Sequence, residues 1–446
     1  METQSTTPTE PGTAGTIIQS IWDKGKLFMK AVIIFVMALF LWLPTTMIMN
    51  MVRERESRQR EAIADISSKW AGRQTVMTPV LMVPYTESSQ DAKGVISTVK
   101  KNAYFLAGNA RINATVHPEK RYRGIYQVIV YHTDLSISGS FGPLAYGELK
   151  IPAASLLWEE AALLFKVTDN LKGINEDVRV QWNDSSHSLL PQPLGASHFE
   201  DALMAVVPMS LEKAGLENKF QLKFSLNGSE QLLFAALARE TSITMQSTWS
   251  SPSFTGIKLP DSRELNDSGF TAKWRYLNRS MPLVWKNTVY PTEQSAMGAD
   301  LVIAVDSYDK TLRSVKYALL CIILTFASFF LIETIYRRPL HLLQYGLAGL
   351  ALVLFYTLLL SISEYTSFNL AYLLAAVSTI SLVAWYVGSI MRSGKLAAFI
   401  SLVLGVVYAY IFSIIQLQDY SLLMGSIGLF VALAIIMYFS RKLQWS

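Results

Sequence analysis

One cysteine in 446 residues leaves no disulfide to form within the chain. Nothing here is a small secreted scaffold stapled by bridges, and any exported part must stand on its own hydrophobic core. A cysteine-free exported domain fits a bacterial periplasm better than a eukaryotic cell surface. Charge is the second scarcity. Asp, Glu, Lys and Arg make up 16% of the chain, against about 25% for an ordinary soluble domain. The deficit is uneven. Residues 53–316 are 22% charged, while the remaining residues are only 8% charged. This division excludes a single soluble globule and a disordered chain, and predicts a soluble domain inserted into a membrane protein.

What the flanks hold instead is long apolar runs. A bilayer core about 30 Å thick needs roughly 20 apolar residues as helix. Six stretches qualify: 31–52 (AVIIFVMALFLWLPTTMIMNMV), 317–335, 342–363, 368–391, 396–416 and 421–440. None carries a charge near its centre. Backbone polarity must be satisfied internally in lipid, so helices are expected. The first run is longer than a usual signal core, and no small-x-small cleavage site follows it, so it reads as an uncleaved anchor. Pro44 is expected to kink it. The predicted fold class is an α-helical polytopic membrane protein with six transmembrane helices and a large β-rich extracytoplasmic domain between helices 1 and 2. The predicted boundaries are a cytoplasmic tail (1–30), the first helix (31–52), the β-rich domain (53–316), a five-helix membrane domain (317–440) and a cytoplasmic C-terminal tail (441–446).

Orientation follows from Lys and Arg in short loops. Lys24, Lys26 and Lys30 precede the first helix. Arg337 and Arg338, then Arg392 and Lys395, then Arg441 and Lys442, fall in the segments that would share its side. The two short loops on the opposite side hold only Glu364 and Asp419. Both termini are thus expected in the cytoplasm and the large domain in the periplasm. The cluster Arg53, Arg55, Arg58 and Arg60 runs against this, but it belongs to a long domain, where the rule is weak, and Glu54, Glu56 and Glu61 offset it. The large domain carries a net charge near +2. A pI near 9.0 therefore reflects membrane-anchoring charge. No basic-aromatic stripe of the kind nucleic acid requires is present.

Within the large domain, residues 53–70 have helical spacing, and later segments alternate as strands do. Residues 124–139 are β-branched and alternating, which suits a pleated half-buried surface. Residues 219–226 (KFQLKFSL) alternate strictly, with Phe220, Leu222, Phe224 and Leu226 on the predicted buried face. Asn227-Gly228 follows and predicts a type I′ hairpin to 229–237. Further strands are expected at 242–249, 270–276 and 301–305, giving a sandwich-like or elongated β domain. The i,i+4 pairs Asp306–Lys310 and Asp309–Arg313 predict a helix leading into the second membrane helix. Helical stalks at Arg53 and Asp306 would then hold the β domain close to the bilayer.

Catalytic and metal signatures are sparse. His117, His132, His187, His198 and His341 show no metal-ligand spacing. Residues 138–142 (SGSFG) lack the first glycine of a nucleophile elbow. Residues 388–395 (GSIMRSGK) miss a phosphate loop in spacing and in the Ser or Thr after the lysine; they read as a basic turn. Glu159-Glu160 and Glu176-Asp177 are neighbours in sequence, which does not make them a catalytic pair in space. No cofactor is expected. The candidate polar sites are at membrane boundaries: Glu333 with Arg337 as an i,i+4 ion pair, and Glu364 and Asp419 at opposite-side helix ends. Capping and solvation explain the last two, or an acidic mouth of a transport path. Ala371, Ala375, Gly425 and Gly428 can let helices approach closely.

Several long stretches resemble the inner membrane protein CreD family, also called cell envelope integrity proteins. They are 338–346 (RPLHLLQYG) running on to 356–364 (YTLLLSISE), 416–429 (QLQDYSLLMGSIGL) leading into 438–442 (YFSRK), and 317–333 (YALLCIILTFASFFLIE). In the large domain, 252–260 (PSFTGIKLP) and 269–274 (GFTAKW) are similar too. The resemblance runs from the first membrane helix to the C-terminus and leaves out residues 1–16. It implies an inner-membrane protein of a regulon under two-component control in some bacteria, associated with envelope integrity, colicin tolerance and β-lactam response. It assigns no catalytic residue. The expectation is a non-enzymatic envelope protein whose partners are the bilayer and an unidentified periplasmic or envelope component, with no nucleic acid. A transporter or lipid-handling protein using helices 3–6 is the alternative, and a periplasmic enzyme acting on envelope polymers a third reading.

Overall fold

Strict alternation along strands such as Asn109–Arg123 and Asn218–Ser229 gives a sheet with two unlike faces. The computed structural model describes residues 29–90, 96–168, 172–192, 197, 199, 201–288, 290–301, 307–336, 339–417, 423–428 and a few positions up to 437. The chain divides into two units, Gln59–Ala304 and Met1–Arg58 with Val305–Ser446.

The Gln59–Ala304 unit is built from three sheets. The largest has eight strands in the spatial order Ser262–Asn266, Gly269–Leu277, Glu240–Ser247, Asn109–Arg123, Tyr126–Phe141, Asn218–Ser229, Arg179–Trp182 and Ser185–Ser188. Its Glu240–Ser247 and Asn109–Arg123 strands are parallel neighbours. The two-residue turn that joins Asn109–Arg123 to Tyr126–Phe141 has Gly124 at φ 60°, where a glycine avoids Cβ strain. A six-stranded sheet centres on Val80–Gln90 and Ala162–Phe165. Residues Val80 to Val83 and Ala162 to Phe165 are buried on both faces, hence their unbroken apolar character. A four-stranded sheet contains Gln74–Met77, Gln231–Ala235, Ala296–Leu301 and Pro252–Gly256.

One apolar face of the eight-stranded sheet packs on the other two sheets. Phe224 meets Phe165 edge-on at 5.3 Å, and Phe254 meets Phe270 and Trp274 at 5.6 and 5.7 Å. Phe220, Leu222, Phe224 and Leu226 are all buried, as their alternation predicts.

The Asn227-Gly228 hairpin is not formed. The strand Asn218–Ser229 continues straight through both residues, with Asn227 opposite His132 and Gly228 opposite Tyr131. The left-handed residue is Glu230, φ 62°, and the chain there leaves for the four-stranded sheet, beside Gln74–Met77 and Ala296–Leu301. Gly228 is needed for contact, not for turning. A Cβ on it would fall 2.2 Å from Tyr131 Oη, and that hydroxyl donates to the Gln231 carbonyl at 2.6 Å. The strands expected at 242–249 and 270–276 form as Glu240–Ser247 and Gly269–Leu277, whereas the one expected at 301–305 is Ala296–Leu301, and 302–306 lie outside the described residues.

The second unit is helical. Helix α1 is Met29–Trp70, whose part from Gln59 onward belongs to the β unit. Its one irregular turn is at Leu41, three residues before Pro44, where the missing N–H and the ring disturb the preceding turn. Helix α2, Ser307–Lys316, meets α3, Ala318–Tyr336, at a 43° bend. Helices α4 (Leu342–Ser363), α5 (Phe368–Met391) and α6 (Gly394–Gln416) follow. Among the described residues, four helices are long and apolar enough to cross a membrane, or five if α2 and α3 count as one span. The sixth run, 421–440, is largely outside the described residues, though 423–428 are helical. Leu343, Leu347, Leu350, Leu354 and Leu358 lie exposed along α4 while Leu352, Phe355, Tyr356 and Leu359 are buried. An exposed leucine stripe is what a lipid-facing helix presents. Where α4 crosses α1 and α3, a Cβ on Gly349 would fall 2.2 Å from Leu41 Cδ1 and 2.8 Å from Phe326 Cζ, the close approach that small residues permit in membranes. Ala371 and Ala375 on α5 are likewise fully buried.

Candidate functional site

Two half-buried acids mark the ends of α4. Glu333, near the end of α3, forms an ion pair with Lys30 at the start of α1, and its Oε2 accepts from Tyr345 Oη at 3.0 Å. The Lys30 ammonium also donates to the Leu340 carbonyl at 2.6 Å. Glu333 and Lys30 side chains are 11% and 22% exposed. Arg337, its expected i,i+4 partner, lies outside the described residues. Glu364 is the C-cap of α4. Its carboxylate is only 9% exposed and faces Arg55 Nε at 3.6 Å and the Tyr308 hydroxyl at 3.5 Å. It is therefore a paired and enclosed group, unlike a solvated loop end. Asp419 lies outside the described residues. With 22 residues between them on α4, the two clusters are about 30 Å apart. They tie α1 to α3 at one end, and α1 to the α4–α5 connection at the other.

Lys30, Tyr345, Arg55 and Tyr308 were not singled out as partners by sequence reasoning. A signal existed. Lys30 and Glu333 sit at the same predicted depth, as do Arg55 and Glu364, and opposite charges at one membrane depth pair readily because the alternative is a desolvated lone charge. Lys310 of α2 donates to Gln416 Oε1 at 3.0 Å, and Gln416 in turn donates to Asn369 at 2.7 Å. Between α3 and α6 runs an apolar groove of about 850 Å³, lined by Leu324, Ile332, Phe399, Val403 and Tyr410, with Lys395 at its border.

The β unit presents a different kind of surface. The eight-stranded sheet turns its second face outward, and every side chain in the central cross-strand rows is polar. Paired registers place Arg275, Ser242, Arg111, Ser138, Gln221 and Gln181 in one row. Lys273, Thr244, Asn113, Ser136 and Lys223 form the next. The face is concave, with a hollow of about 950 Å³ over Asn109, Arg111, Ser138, Gln181, Lys219 and Gln221. Arg275 donates to Glu240 at 2.7 Å, and this hydrogen bond to the carboxylate raises the guanidinium above its ordinary pKa. Asp261 sits below the usual carboxylate range because the Lys258 ammonium donates to it at 2.6 Å, with help from the Arg275 backbone N–H at 2.7 Å.

The histidines have structural places. His117 and His132 flank Asp134 at 3.4 and 3.7 Å on the same sheet face. His132 Nδ1 is 2.9 Å from Asn227 Oδ1. His341 is the N-cap of α4, accepting from the Leu343 N–H while Gln344 closes a capping box. His187 lies in strand Ser185–Ser188, and His198 lies outside the described residues. Among the described residues, no three His, Cys, Asp or Glu side chains gather to hold a metal ion. Ser138 sits in mid-strand, and residues 388–395 run from the end of α5 through a two-residue turn at Arg392 (φ 46°) and Ser393 into the start of α6. Glu160 pairs with Lys100, and Glu176 accepts from the Ser225 backbone N–H at 2.5 Å. One carboxylate of each sequence pair is thus engaged with a partner of its own.

A β-rich domain interrupting a set of apolar, lipid-facing helices defines a class of polytopic membrane protein. Comparison with known proteins makes this specific. The profile of the family described as inner membrane protein CreD matches residues 26–446. The chain is 28% identical over 436 residues to the inner membrane protein CreD of Escherichia coli strain K12, covering 95% of this chain and 94% of that protein. The chain belongs to the CreD family of inner-membrane proteins, as the resemblance of its motifs implied.

Proposed function

We propose that this inner-membrane protein supports the integrity of the cell envelope without catalysing a reaction. Six helices anchor it with both termini in the cytoplasm, and its β domain works in the periplasm by contacting other envelope components. The observation that carries this reading is the uncovered polar face of the eight-stranded sheet, which has the size and chemistry of an interaction surface. Lys30 and the basic α5–α6 turn at Arg392 and Lys395 support the orientation through the positive-inside rule. The test is photocrosslinking in intact cells from a benzoylphenylalanine at Gln221, in the middle of that face. Adducts with periplasmic or envelope components are expected. Adducts confined to cytosolic components, or none, would refute the reading.

A second reading rests on the apolar groove between α3 and α6, whose Lys395 border suits a lipid with an acidic headgroup. On that reading the protein handles lipids, and the Arg55–Glu364 pair closes one end of its moving parts. A lipid or solute flux lost on Glu364→Gln would favour it, and an unchanged phenotype would count against it.

A further inference from the structure

The polar face of the eight-stranded sheet is more selective than a solvated surface needs to be. Five cations stand exposed on it: Arg111, Lys219, Lys223, Lys273 and Arg179. None has an ion-pair partner among the described residues, whereas Arg275 on the same face is paired with Glu240. Of its acids, Glu240 is paired with Arg275 and Asp134 lies against His117 and His132, while Glu217 at the hollow and Glu264 on the edge strand stand exposed. The cations outnumber these acids, so the charge on the face is positive on balance.

Between the cations lie hydroxyls and amides: Ser136, Ser138, Ser242, Thr244, Asn113 and Gln221. Each offers both a donor and an acceptor. The two central rows hold no aromatic and no aliphatic side chain. An aromatic-free face gives nucleic-acid bases nothing to stack on. These rows hold no apolar anchor of the kind that makes the buried hot spot of a protein–protein interface, and the exposed Leu277 stands only in the row that borders them. Strand geometry sets the spacing. Arg111 and Lys223 are two strands and one row apart, about 12 Å, and Lys273 and Lys223 are four strands apart, about 19 Å. The site suits an extended polymer that meets several strands at once.

From this juxtaposition we infer that the concave polar face of the eight-stranded sheet binds an acidic polysaccharide, with Arg111, Lys219 and Lys223 receiving its anionic groups and the Ser, Thr, Asn and Gln side chains its hydroxyls. Without a stacking platform, charge supplies the affinity, so an acidic glycan is selected over a neutral one. This rests on the envelope-contact reading above and names the chemistry of the contact.

The full chain, in nanodiscs of uncharged phosphatidylcholine, is tested by interferometry against polygalacturonate, dextran, polyglutamate and vesicles of phosphatidylglycerol. Binding to polygalacturonate that weakens with salt is expected, with dextran, polyglutamate and the vesicles at least roughly tenfold weaker. The double variant Arg111→Gln, Lys223→Gln should lose about tenfold or more in affinity, at an unchanged unfolding midpoint. Lys213→Gln, in the short helix Leu211–Ala214, should bind as the parent does. No binding of polygalacturonate, or affinity unchanged in the double variant, overturns the assignment. Polyglutamate or the vesicles binding as well as the glycan also overturns it, in favour of an acidic peptide or a membrane surface. If the glycan fails while envelope crosslinks from Gln221 persist, only this inference falls; if the crosslinks are absent too, the reading beneath it falls as well.

Discussion

Gly228→Ala places one methyl group where the interior has no room for it. The new Cβ would lie 2.2 Å from Oη, 2.3 Å from Cζ and 2.7 Å from Cε2 of Tyr131, a fully buried side chain. Relieving that overlap means shifting the ring or the strand, which costs about 1–3 kcal/mol in a packed core. The ring cannot shift without loosening the 2.6 Å hydrogen bond from Tyr131 Oη to the Gln231 carbonyl, and an unsatisfied buried acceptor costs about 1–3 kcal/mol more. The expected loss is about 3 kcal/mol, or roughly 6–12 °C in the unfolding midpoint of a unit this size. In a type I′ turn the same change would meet only the left-handed backbone cost, about 1–2 kcal/mol. Unfolding of the purified full chain, followed by tryptophan fluorescence and calorimetry, measures the difference. Tyr131→Leu removes the obstructing ring, so adding Gly228→Ala to it should cost much less, with a coupling above about 1 kcal/mol. Additive effects, or a single-variant loss under about 1 kcal/mol, would refute the argument that Gly228 is kept for close contact within the strand.

Two further outcomes follow from the ion pairs. Glu333→Ala leaves the enclosed Lys30 ammonium without its carboxylate and Tyr345 Oη without its acceptor; a loss of about 3 kcal/mol is expected, read as a lower thermal midpoint of the detergent-solubilised chain, and a midpoint equal to the parent's would contradict it. Lys30→Met with Glu333→Met should recover most of that loss, because no lone charge remains. The lowered pKa of Asp261, caused first by Lys258 and then by the Arg275 N–H, gives stability that is present above the ordinary carboxylate value and lost as the pH falls through the lower folded value. The β unit should therefore weaken below about pH 4, and Asp261→Asn should flatten the decline between pH 5 and pH 3 in a melting series.

Much of this architecture is legible in the sequence because it is set by local pattern. The runs 342–363 and 368–391 coincide with α4 and α5 residue for residue, since hydropathy alone decides where a chain can lie in lipid. The alternation from Phe220 to Leu226 fixes which face is buried for the same kind of reason. The fate of Asn227-Gly228 is different. Whether a glycine turns the chain or accommodates a neighbour depends on what lies opposite, here Tyr131, nearly a hundred residues earlier. Sheet order is non-local in the same way: nothing near Glu240–Ser247 announces a parallel partner at Asn109–Arg123. The polar candidates divide likewise. Glu333 and Glu364 stand out as charges at helix ends, but Lys30 and Arg55 become their partners only once α1 is packed against the other helices. The cationic face could not be read at all before the register was known, because its two central rows are assembled from residues 111 to 275.

The account depends most on the β domain working outside the cytoplasm, and cysteine labelling tests this directly. The parent's single thiol, Cys321, is fully buried, so the chain is already a quiet background for a membrane-impermeant maleimide. Gln221→Cys puts a thiol in the middle of the polar sheet face. The account expects rapid labelling in intact cells whose outer membrane has been permeabilised, with no further gain on lysis. Labelling that appears only after the inner membrane is broken would place the sheet in the cytoplasm and contradict it.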